Sequence, residues 1–190
     1  RPGDDDGGGA AGQFDIVRDW TLTGYQLNRK MAQANGFGRS NGCAFADSAG
    51  HIPLQRRANV SIQPAPDGPS TDELIGRVER GIYIVGDRSW SIDMQRFNFQ
   101  FTGQQFHRIE HCPLVGQLRD LPYPPTTTAF WPSMAACGGP QTYLLGAASN
   151  SGHGPQDQGT AVSPGGPAGR VRRGDGALPG RPWVGDRGLY

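Results

Sequence analysis

Gly81-Ile82-Tyr83-Ile84-Val85-Gly86-Asp87-Arg88-Ser89-Trp90-Ser91-Ile92-Asp93 runs through Met94-Gln95 into Arg96-Phe97-Asn98-Phe99-Gln100-Phe101, and this stretch decides the fold class. Residues 82–85 form an uninterrupted apolar run of strand length, the pattern of a buried strand. Phe97, Phe99 and Phe101 alternate with Asn98 and Gln100, so a second strand has one apolar and one polar face. Thr102-Gly103-Gln104 can turn the chain back into a third strand over 105–110. Alternation returns over 114–120, and residues 142–148 read as a last strand.

Upstream, Ser70-Thr71-Asp72-Glu73 spells a capping box, in which the Ser70 hydroxyl accepts from the Glu73 amide and the Glu73 carboxylate reaches back to the Ser70 amide. Leu74, Ile75 and Val78 supply an apolar stripe and Gly81 a stop, which predicts a helix over 70–80. Leu27, Met31 and Ala34, at i, i+4 and i+7, predict another over 26–35, ended by Gly36. Phe14, Ile16, Trp20 and Leu22 alternate around Arg18-Asp19 as in a hairpin. Val60 and Ile62 alternate as in a strand that Pro64 must end. Residues 1–12, with five glycines and three consecutive aspartates, read as a solvated loop. The expected architecture is α+β and β-rich, mostly antiparallel sheet with two or three helices.

Composition bounds the rest. Of the 190 residues, 18 are basic and 17 acidic, for a net charge of +1, so there is no broad field for nucleic acid. Leu, Ile, Val and Phe number 35, and 30 of these lie between Phe14 and Leu145, enough for one middle-sized core. The segment 164–190 is rich in Gly, Pro and Arg without an apolar period, and reads as a disordered tail after a domain over 1–163. Only Trp183 and Tyr190 there would offer bases a stacking platform, so a nucleic-acid partner is not expected. The longest apolar run has four residues, far short of a membrane span, and the first residues carry no secretory pattern. Cys43, Cys112 and Cys137 are odd in number and widely spaced, which fits a reducing, cytoplasmic setting.

Candidate chemistry is sparse. His107, His111 and Cys112 resemble a metal cluster, but along a strand a four-residue step covers about 13 Å, so they read as surface histidines rather than ligands of one ion. Cys43 and Cys137 have no partner at C-x-x-C spacing and read as small buried residues. Gly36-Phe37-Gly38 lacks the third glycine and the preceding strand of a dinucleotide fingerprint. Asn59-Val60-Ser61 is a glycosylation pattern without consequence in a reducing compartment.

The opening stretch, 81–101, is similar to the C-terminal region of TldD/PmbA metallopeptidases. The similarity extends through Asp4-Asp5-Asp6-Gly7, which resembles the family's acidic loop, through Ser40-Asn41-Gly42-Cys43 and residues 55–64. Downstream it includes Gly116-Gln117-Leu118-Arg119-Asp120, Thr126-Thr127-Thr128 and Gly138-Gly139-Pro140-Gln141-Thr142-Tyr143. This resemblance implies a zinc peptidase that cleaves peptides, with a homodimeric or heterodimeric family partner. It also implies zinc ligands from a His-Glu-x-x-x-His helix and a downstream cysteine, the glutamate serving as base.

No His-Glu pair occurs in these 190 residues. The family's Asn-Cys-Gly-Lys-Gly corresponds here to Asn150-Ser151-Gly152-His153-Gly154, which puts Ser151 at the cysteine ligand's position, with His153 as the weaker substitute donor. A neutral hydroxyl is a far poorer zinc donor than a thiolate. Val162-Ser163-Pro164-Gly165-Gly166-Pro167 departs from the family's Val-Ser-His-Gly-Cys-Pro. Pro113, Pro122, Pro124, Pro125 and Pro132 stand where ladder donors or helix turns are at risk. The chain is therefore expected to be a C-terminal fragment that is inactive alone and binds no zinc, or else a non-catalytic subunit that pairs with an intact family member.

Overall fold

The opening stretch folds as one long antiparallel ribbon bent at two glycines. A computed structural model of the chain describes residues 3–56, 58–86, 88–119, 121–123, 126–145, 165–171 and 183–185. They fall into two compact units, residues 1–60 with 147–163, and residues 61–146 with 164–190.

The first unit holds a hairpin of β1 (Val17–Arg18) and β2 (Thr21–Leu22), the helix α1 (Arg29–Ala34), and the paired β3 (Ala44–Phe45) and β4 (Leu54–Gln55). The hairpin turns at Asp19 and Trp20, both with positive φ, one residue later than the alternation suggests. A two-residue loop with both central residues left-handed matches the twist of the flanking strands, and that geometry fixes the turn's position. Asn28 caps α1 by accepting from the Met31 amide. Ala32 is the helix's buried residue, whereas Met31 is 43% exposed, so the predicted Leu27–Met31–Ala34 stripe is covered only at Leu27. Residues 60–62 form no strand.

In the second unit, α2 (Thr71–Gly76) begins with the complete capping box: the Glu73 amide donates to Ser70 and the Glu73 carboxylate accepts from the Ser70 amide. The ribbon follows, as β5 (Arg80–Val85), β6 (Ser89–Ile92), β7 (Phe99–Thr102) and β8 (Gln105–Glu110). The turn at 102–104 exists, but β7 and β8 do not pair. β5 pairs with β8 and β6 with β7, so Gly86 and Gly103 form a corner at which both strands leave one sheet for another. Gly86 has φ +66, and a Cβ on Gly103 would lie 2.5 Å from Ile84 Cγ2. The bend folds the ribbon onto itself and buries Ile82, Ile84, Phe101 and Phe106 together.

Past the ribbon come β9 (Leu114–Leu118), β10 (Pro122–Tyr123), α3 (Thr127–Phe130), β11 (Met134–Cys137), β12 (Leu144–Leu145), β13 (Gly165–Gly166), β14 (Gly169–Val171) and β15 (Trp183–Gly185). One sheet has the order β11-β14-β15-β5-β8-β9 and another β10-β7-β6. Every pair is antiparallel except β15 with β5. The class is α+β as expected, with three short helices among the described residues. A second cluster joins Leu74, Ile75 and Val78 to Ile109 and Ala168. The prolines sit where they do least harm: Pro113 in the β8–β9 turn, Pro122 on the edge strand β10, and Pro132 in a 3₁₀ turn. Pro124 and Pro125 lie outside the described residues. Strands β13, β14 and β15 fall in the segment that composition reads as disordered. Their pairing is backbone to backbone, which glycine-rich sequence satisfies without apolar side chains.

Candidate functional site

Ser151 and His153 lie outside the described residues, so the structure positions what flanks them. β12 and β13 pair antiparallel, with Leu144 opposite Gly166 and Leu145 opposite Gly165. The two described ends that flank the segment carrying both residues therefore lie side by side. Its base is built from Gly138-Gly139-Pro140-Gln141-Thr142. Thr142 is buried; its hydroxyl donates to the Gly139 carbonyl at 2.8 Å and accepts from the Ala168 amide at 3.1 Å. The Gly138 amide donates to the Ala168 carbonyl at 2.7 Å, and the Gly139 amide to the Pro69 carbonyl at 3.0 Å. Backbones cross so closely here that a Cβ on Gly68 would stand 2.6 Å from the Gly139 nitrogen. The glycine motif is thus a close backbone crossing, and the Thr142 hydroxyl ties Gly139 to Ala168.

The described histidines are dispersed. His107 on β8 is 3.4 Å from Gln105 Oε1, with its ring 6.0 Å from that of Tyr83. His111, in the β8–β9 turn, lies 2.8 Å from Glu79 Oε1, and His51 lies 2.5 Å from Asp47 Oδ1. Cys112 adjoins His111 with φ +77. Among the described residues, no three His, Cys, Asp or Glu side chains come together as a metal site would need. The donors among the described residues therefore do not form a zinc site.

Cys43 is fully buried, its amide donating to the Leu27 carbonyl, and burial pushes its thiol above the ordinary range. A protonated buried thiol is a poor nucleophile and a poor ligand. Cys137 is half-buried and likewise raised by burial; its thiol is 3.5 Å from the Gln63 carbonyl.

The acidic loop contains the polar centre that composition hides. Asp5 is buried, and its carboxylate accepts from the amides of Gly9 at 2.6 Å, Gly7 at 3.1 Å and Ala44 at 2.9 Å. Asp6 accepts from the Ala46 amide at 2.8 Å. Glycine is required around this knot: Gly8 has φ +70, and a Cβ on Gly7 would touch that of Ala44 at 3.0 Å. Most of the loop is exposed, with Asp5 and Gly9 as its buried anchors. The sequence signal was the placement of Asp5 just ahead of three consecutive glycines, which frees amides to turn inward.

Comparison with known proteins fits this architecture. The PmbA/TldA metallopeptidase C-terminal domain family matches residues 2–165. A "Metalloprotease" of Methanothermobacter thermautotrophicus is 27% identical over 106 residues, which are 56% of this chain and 22% of that protein. The crystal structure of TldE from Thermococcus kodakarensis superposes with a TM-score of 0.60 at 15% identity, over 84% of this chain and 33% of that one. The chain thus spans between about a fifth and a third of the length of these relatives.

Proposed function

The chain belongs to the TldD/PmbA metallopeptidase family through its C-terminal domain, and from that premise we propose that it supplies the β-rich C-terminal part of a zinc peptidase and hydrolyses no peptide by itself. A zinc peptidase needs three converging N, S or O donors and a base to take the proton from the attacking water. The reading is carried by the resemblance of Asn150-Ser151-Gly152-His153-Gly154 to the family's Asn-Cys-Gly-Lys-Gly, which would put the Ser151 hydroxyl at the cysteine ligand's position. The nearby His153 is a single imidazole between glycines, and one neutral donor does not hold zinc. The remaining donors and the base would come from a His-Glu-x-x-x-His helix, a pattern absent from these 190 residues.

The test is the zinc content of the purified, dialysed chain together with chelator-sensitive cleavage of an unfolded protein substrate. Sub-stoichiometric zinc and no cleavage are expected; a full equivalent of zinc, or cleavage abolished by chelator, overturns the reading.

A second reading, a non-catalytic subunit that pairs with an intact family member, is favoured by β9. This edge strand of the six-stranded sheet leaves Leu114 and Val115 exposed, and an open ladder templates another chain. Co-purification with a full-length partner supports it, and a monomer at micromolar concentration counts against it. A reducing, cytoplasmic location is proposed on the three free cysteines.

A further inference from the structure

The outer edge of β6 is an open ladder without charge. In the sheet β10-β7-β6, no strand among the described residues covers β6 on the side away from β7. The opposite edge, β10, is two residues long and begins with Pro122, whereas Ser89-Trp90-Ser91-Ile92 has neither proline nor charge to deter another strand. Register fixes which groups this edge offers. Ser89 opposes Thr102, Trp90 Phe101, Ser91 Gln100 and Ile92 Phe99, and the Asp93 amide donates to the Asn98 carbonyl at 3.2 Å. Hydrogen-bonded and non-hydrogen-bonded pairs alternate along an antiparallel ladder. Ser89, Ser91 and Asp93 therefore bond towards β7, and the N–H and C=O groups of Trp90 and Ile92 point outward. The same register puts Trp90 and Ile92 on the face of Phe99 and Phe101. Phe101 is 6% exposed in its cluster with Ile82, Ile84 and Phe106, and Ile92 and Phe99 pack against it. Trp90, at the margin of that face, is 59% exposed.

We propose that β6 pairs antiparallel with β6 of a second copy of this chain, about a two-fold axis through Ser91. Trp90 of each copy then opposes Ile92 of the other, and the outward N–H and C=O groups of both residues are met. The apolar face continues from one copy into the next across these pairs. Charge argues for a second copy as the occupant. Exposed Arg88 precedes the strand and Asp93 follows it, the Asp93 carboxylate being fixed by the amides of Phe97 and Asn98 at 2.8 and 2.7 Å. The two-fold sets Asp93 of each copy opposite Ser89 and beside Arg88 of the other, so unlike charges meet at both ends of the ladder. So short a strand buries little area, which makes the dimer weak and reversible. The proposal depends on neither the family assignment nor the zinc reading.

Ser91 provides the test, because a residue on the axis faces its own copy, in a non-hydrogen-bonded pair whose side chains lie closest. Sedimentation equilibrium of the reduced chain should show a mass rising from monomer towards dimer between about 5 and 500 μM, the range of a small interface. Ser91→Lys and Ser91→Glu, at an exposed position on the face away from Trp90, should each weaken association by roughly fivefold. An equimolar mixture of the two variants should recover it. A monomer at every concentration overturns the proposal, as does association that both variants leave unchanged or that mixing fails to restore. Association lost in Val115→Lys and kept in both Ser91 variants also overturns it, assigning the contact to β9.

Discussion

At the scale of single residues, Asp5 and Cys43 do opposite things with burial. Asp5 offsets the cost of an interior carboxylate by taking three amide donors. Removing it strands those donors, so Asp5→Ala should lower stability by about 3 kcal/mol, in line with hydrogen bonds to a charged group left unmade. Asp5→Asn, which keeps one acceptor oxygen, should lose distinctly less. Urea denaturation of both variants measures the difference, and an unaffected Asp5→Ala would mean the knot contributes nothing. Cys43 has its thiol raised by burial, so at neutral pH the thiolate is scarce as well as covered. Thiol labelling of the native chain should therefore modify Cys112 and Cys137 first and reach Cys43 only as the protein unfolds. Rapid modification of Cys43 in native buffer would contradict its placement.

At the scale of elements, what was legible followed local chemistry. The α2 capping box was readable because Ser70 and Glu73 satisfy each other within four residues, whatever packs nearby. Its electrostatics make a directional prediction. The Glu73 carboxylate is held below its ordinary range by the Ser70 amide first and the Ser70 hydroxyl second. A depressed folded-state value means the stabilisation is complete above the ordinary glutamate range and drains away as pH falls through that range to the folded value. Glu73→Gln should therefore lower stability at neutral pH while leaving acid stability nearly unchanged, which flattens the acid limb of a stability–pH profile; an unchanged limb would refute the cap's role. The turn at 102–104 and the strand after it were legible, but which strands pair was not, for the complementary reason. Strand partners depend on contacts distant in sequence, and Gly103 signals a change of direction without saying into which sheet. Two-residue turns add a further case, since His111 and Cys112 both hold positive φ without being glycine. Relieving that strain with Cys112→Gly should raise stability by roughly 1 kcal/mol, seen as a higher urea midpoint at constant slope. The same principle has a converse at Gly139, where a Cβ would overlap the Gly68 carbonyl oxygen. Gly139→Ala should cost about 3 kcal/mol, because two backbones cannot both yield.

At the scale of the whole molecule, the candidate site was legible only as a position in a pattern. Ser151 was singled out only by resemblance to a family motif, and whether donors converge on it depends on parts of the chain and of its relatives that local pattern does not reach. The paired strands at 165–171 and 183–185 escaped composition because glycine backbones hydrogen-bond without an apolar signature. The distribution of burial, by contrast, makes a prediction about stability that needs no site. Among the described residues, the second unit buries Leu74, Val78, Ile82, Ile84, Phe101, Phe106, Ile109 and Phe130, whereas the first buries Leu27 and three small side chains. Apolar area removed from water is the main term that opposes chain entropy, at about 25 cal/mol per Å², so the first unit is held far less firmly and relies on backbone knots such as that of Asp5. Native-state hydrogen exchange should then divide the amides. Those of α1, β3 and β4 should exchange through a sub-global opening at low urea, and those of β5 and β8 only with global unfolding. If the two groups merge into a single exchange isotherm, the first unit draws stability from contacts other than its own core, and the contrast in buried area has been given too much weight.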